Sequence, residues 1–78
     1  MAPQWVINEL AKHLINEMRI YRKETYGNRK LNAQEAKELH SFFMGWSHQY
    51  VCDYELLLAA REKISRAYGG ELNAFLED

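Results

Sequence analysis

The spacing of Leu39, Phe43, Trp46, Tyr50 and Tyr54 constrains this chain more than any other feature. Steps of three and four residues place all five on one face of an α-helix, with Phe42 flanking them on the same side. That much aromatic area on one helix serves a core, a subunit interface or a partner. The apolar face continues through Leu57, Ile64 and Tyr68 in nearly the same phase, without an interrupting proline.

The same period governs the first third of the chain. From Trp5 to Thr25 the residues Ile7, Leu10, Ala11, Leu14, Met18 and Tyr21 recur at helical spacing, with Glu9, Lys12, Glu17 and Arg22 mostly on other faces. Pro3 can open that helix, and Gly27-Asn28 ends it, since both residues tolerate left-handed backbone. Asn32 with Glu35 three residues on is a capping-box pattern, and Leu31 and Ala36 can staple its entry. Gly69-Gly70 is a stop, leaving Leu72, Phe75 and Leu76 as a short terminal turn or helix over the core.

The pattern predicts an all-α chain with helices near 4–25, 33–50 and 53–68, forming one domain over 1–78. Two architectures meet it. A three-helix bundle breaks near 50–53, where Asp53 is a good N-cap and Gly45, Ser47 and His48 lower helix propensity. A helical hairpin instead carries one arm from about 33 to 68, roughly 54 Å at 1.5 Å per residue, with an exposed stripe that needs a second subunit. The bundle is the expectation, because globular helices average about 11–12 residues.

Composition limits the function. Ten Lys and Arg against eleven Asp and Glu give a net charge of −1, unlike a dedicated nucleic-acid binder. The charge is uneven: Arg19, Arg22, Lys23, Arg29 and Lys30 face only Glu24 between residues 19 and 30. With Tyr21 and Tyr26 interleaved, this segment is a candidate phosphate-binding site for nucleic acid. Its ordinary reading is a solvated basic helix end that complements the macrodipole. Cys52 is the single cysteine, which excludes an internal disulfide, fits a cytoplasmic setting and is ordinarily a small buried hydrophobe. The start lacks the pattern of a signal peptide, and the longest apolar run, Leu56 to Ala60, is too short to span a bilayer.

Candidate chemistry is sparse. His40, His48 and Cys52 have the spacing of ligands on one helix side, but a structural zinc site wants four N or S donors. Glu9, His13 and Glu17 repeat at i, i+4 and i+8, where a carboxylate can raise an imidazole pKa, although the same spacing gives ordinary surface pairs. Ser41, Ser47 and Ser65 lack a nucleophile elbow, and Gly69-Gly70 precedes Glu71 instead of a phosphate-cradling helix. No enzyme, metal or cofactor is expected.

Binding remains. Ten aromatics (two Trp, five Tyr, three Phe) exceed what one small core easily encloses, and Tyr and Trp favour interfaces. Phe42, Trp46, Tyr50 and Tyr54 are therefore the candidate partner-binding residues. The expectation is a protein-interaction module that forms a homodimer or binds a protein of unknown identity. Its size fits a regulator or inhibitor of a larger protein, of the kind many phages encode. The alternative is a nucleic-acid-binding accessory protein using the basic end of the first helix.

Overall fold

The computed structural model describes residues 2–76, with side chains for 2–75, and contains four helices with no strand among the described residues. They are α1 (Gln4–Tyr26), α2 (Ala33–Tyr50), α3 (Tyr54–Tyr68) and the short α4 (Glu71–Leu76). At about 1.5 Å per residue α1 runs roughly 35 Å. It therefore sets the longest dimension of the molecule, 38 Å.

Each boundary has a local cause. The Pro3 carbonyl accepts from the N–H groups of Val6 and Ile7 at 3.1 and 3.3 Å, starting α1 without a side-chain cap. Gly27 takes φ +79° and returns its N–H to Lys23 O, a backbone that any Cβ would strain. At α2 the Asn32 side chain accepts from Glu35 N at 2.8 Å and Glu35 Oε1 accepts from Asn32 N at 3.2 Å, completing the capping box. Leu31 and Ala36 are both buried, as a hydrophobic staple requires.

The long continuous helix does not form. Val51 and Asp53 are extended, and the Asp53 carboxylate accepts from Leu56 N at 3.2 Å, which caps α3. This break overturns the reading of one unbroken aromatic face: Tyr54 opens α3 and does not continue the α2 stripe. Cys52 is exposed in the same corner, not buried as its residue type suggests.

The three long helices run up, down and up. Tyr21 meets Phe42 while His13 meets Tyr50, so α1 and α2 are antiparallel. Ile7 shares a cavity with Leu56 and Ala59, and Arg19 reaches Tyr68, so α1 and α3 are parallel. Leu14, Met18, Leu39, Phe43, Leu57, Ala60 and Ile64 fill the centre. The helix α4 closes the end where α1 finishes and α2 begins. It buries Ala74 and Phe75, with the Phe75 ring tilted against Phe43 at 5.3 Å. Leu72 is half-buried, and the part expected of Leu76 lies outside the described side chains.

Two arginines lie inside this packing. Arg22, expected among the outward-facing charged residues, is 3 % exposed and donates to Phe75 O at 3.2 Å and Arg29 O at 3.3 Å. Arg61 donates to Met44 O at 2.8 Å and Ser47 Oγ at 3.0 Å, tying α3 to the last turns of α2. Both reach main-chain carbonyls, acceptors that a buried guanidinium needs.

Candidate functional site

The antiparallel seam of α1 and α2 carries a row of aromatic side chains at the surface, while the exposed Trp5 and Tyr54 lie apart from it. Phe42, Trp46 and Tyr50 stand at i, i+4 and i+8 on α2, a rise of about 12 Å. Their rings are held by neighbours. Phe42 stacks on Tyr21 with centroids 4.2 Å apart and planes within 5°. Trp46 stacks on Tyr50 at 5.0 Å and 16°, and Tyr50 stacks on His13 at 5.4 Å. Tyr50 Oη and His13 Nε2 also share a 2.9 Å hydrogen bond; with a neutral imidazole protonated at Nδ1, the phenol donates.

The rings are ordered yet accessible. Phe42 is 40 % and Tyr50 52 % exposed, and Trp46 is half-buried against the core. Exposed Ile20 lies on the same face of α1 as His13, seven residues on. Fixing rings before a partner arrives lowers the ordering cost of association. Tyr54, 56 % exposed, meets the edge of His48 at 5.9 Å and is not joined to these stacks. Of the four aromatic candidates, three form one strip and the fourth stands apart. His13 and Tyr21, which complete the strip from α1, were discernible as helix-face residues but not as ring partners, because pairing across helices depends on register.

The basic segment is not a single surface. Arg22 is buried, as described above. Arg29 forms a paired ion bridge with Glu35, which holds that carboxyl at about 2, well below its usual range, through the Arg29 hydrogen bond first and the Asn32 N–H second. Arg19 is half-buried against Tyr68, donating from Nη2 to Tyr68 Oη at 2.9 Å. Lys23 and Lys30 are exposed.

The polar constellations are also dispersed. His40 pairs with Glu71 at 3.4 Å and tilts against Phe75, while His48 faces Tyr54. Glu9 bridges to Lys12 at 3.7 Å and His13 turns to Tyr50. Among the described residues no group of three His, Cys, Asp or Glu is placed to hold a metal ion, and no helix is long and apolar enough to cross a membrane. No protein-family model, curated protein or solved structure matches the chain.

Proposed function

We propose that this protein is a non-enzymatic interaction module that binds protein through the α1–α2 aromatic strip, its first partner being a second copy of itself. The observation that carries this reading is that Phe42, Trp46 and Tyr50 are locked into stacks while Phe42 and Tyr50 stay exposed and Trp46 half-buried. Rings at the surface of a small domain are costly to leave wet, and aromatic anchors dominate association energies. A two-fold arrangement lets each strip lie against its own copy, the commonest closed symmetry. A standard interface of about 800 Å² per partner is near one-sixth of the 5145 Å² surface, so the strip needs the flanking Ile20 as well. In a cytoplasmic setting such a module acts as a regulator or inhibitor by occupying surface.

Light scattering coupled to size exclusion tests it. A dimer mass at tens of micromolar is expected, with Trp46→Ala weakening association by about 2 kcal/mol or more, as a central anchor does. Tyr50→Ser and Phe42→Ser, at more exposed positions, should weaken it while leaving the helical spectrum intact. A monomer mass at that concentration overturns self-association and assigns the strip to a foreign protein.

A further inference from the structure

On the other flank of α1, an open groove of about 580 Å³ runs along its seam with α3. Ala11, Ile15, Ile64 and Ala67 form its apolar floor. Its polar lining is organised by helix period. Asn8, Lys12, Asn16 and Arg19 follow one another at steps of four, four and three on α1, and Lys63 of α3 joins them. Lys23 continues the same face one turn further.

The charge of this concavity opposes that of the chain. The net charge overall is −1, yet Lys12, Arg19 and Lys63 line the groove against a single carboxylate, Glu9, which bridges to Lys12 and leaves Arg19 and Lys63 without a carboxylate partner among the described residues. Two further carboxylates are engaged elsewhere, Glu35 with Arg29 and Glu62 with Arg66. Lys63 has no ion pair among the described residues. A cleft with an excess of one sign over apolar walls concentrates its potential on an incoming counter-ion.

Arg19 is the specific element. Tyr68 takes one donor at Nη2 and lies 5.4 Å, ring centroid to Cζ, from the guanidinium, which orients the planar fork. The Arg19 Nε–H is buried without an acceptor. A small rotation of this half-buried side chain toward an anion supplies the missing acceptor, and the fork matches phosphate oxygens two at a time. Asn8, Asn16 and the Tyr68 hydroxyl add neutral donors for the rest of a ligand.

We infer that the α1–α3 groove binds the phosphate group of a small, nucleotide-sized ligand. The site shares Arg19 with the basic end of α1 and His13 with the aromatic strip, but Lys12 and Lys63 belong to neither, so either reading can fail alone. The volume lies within the range of about 300–1,000 Å³ found for small-molecule sites.

Titration calorimetry at low salt with pyrophosphate, with ATP and with a single-stranded oligonucleotide tests the site on the intact protein. The expected result is salt-sensitive binding of ATP or pyrophosphate. Lys63→Glu and Lys12→Glu should each weaken it about tenfold or more, the loss expected for a charged contact. Lys37→Glu, on the exposed face of α2, should leave it unchanged. All three lysines are exposed, so these variants keep the fold. Binding of the oligonucleotide without either small ligand overturns a nucleotide-sized occupant. Absence of binding, or binding that Lys63→Glu and Lys12→Glu do not weaken, overturns the site.

Discussion

Phe75→Ala is the most informative single change to the fold. A six-residue helix has no independent stability in water, so α4 exists because its side chains are buried. Phe75 is 1 % exposed, tilted against Phe43, and its carbonyl accepts the Arg22 Nε–H. Truncating a buried Phe to Ala costs about 3–5 kcal/mol. A chain of 78 residues has about 4–12 kcal/mol in total. The loss therefore approaches the whole stability at the lower end. It has a ceiling, because once the cavity costs more than releasing α4, the helix undocks and the penalty stops growing. With a urea m-value of about 1–1.5 kcal/mol per molar, the midpoint should fall by at least ~2 M. Phe75→Leu should shift it by less than half as much. Far-UV circular dichroism in urea measures this, and hydrogen exchange at Leu39 and Phe43 reports whether α4 has opened. A Phe75→Ala midpoint within ~0.5 M of wild type would refute the argument that this ring seals the core.

Three further outcomes follow from the same geometry. Glu35, held at about 2 against an ordinary 4.5, stabilises the start of α2 fully above pH 4.5 and loses that contribution as pH falls toward 2; an NMR titration of its carboxyl with a midpoint near 4.5 contradicts the Arg29 pairing, and Glu35→Gln should remove this pH dependence. Arg61→Met should change stability by less than about 1 kcal/mol, because the guanidinium's desolvation cost disappears with its bonds, whereas Arg61→Ala should cost about 2–4 kcal/mol through the cavity it leaves; equal losses in a urea melt show instead that the bonds to Met44 and Ser47 dominate. Gly69→Ala, at φ +75° with ordinary space for a Cβ, should cost about 1–2 kcal/mol from backbone strain alone, and an unchanged melting midpoint removes that cap from the account.

The fold was legible where local chemistry decides it. Asn32 with Glu35 and Asp53 mark helix starts, and Gly27 and Gly69 mark helix ends, by the backbone groups they satisfy or the backbone they can adopt. The choice between one long arm and two helices was less visible, because Leu57 and Ile64 keep the phase of Leu39 across the corner. Tertiary burial settles it: folding α3 back covers Leu57, Ala60 and Ile64. The two buried arginines show a different limit. Leu14, Met18 and Arg22 are four apart, as are Leu57 and Arg61, so both arginines occupy positions that the apolar period assigns to the core. Residue type pointed outward and spacing pointed inward, and carbonyls on neighbouring elements decided for spacing. The strip was legible as an aromatic excess but not as stacks, since Tyr21–Phe42 and His13–Tyr50 depend on how α1 and α2 align. The α1–α3 groove was less visible still, because Lys63 is distant in sequence from Lys12 and Arg19.

The placement of α4 also bears on how the chain is made. Phe75 is synthesised after all three long helices, and its ring packs on Phe43 in α2. A nascent chain that has extruded α1, α2 and α3 still presents an unsealed apolar end, open to the wrong neighbours. Productive closure therefore waits for α4 to emerge, and slowing translation upstream of it should not help the bundle fold sooner.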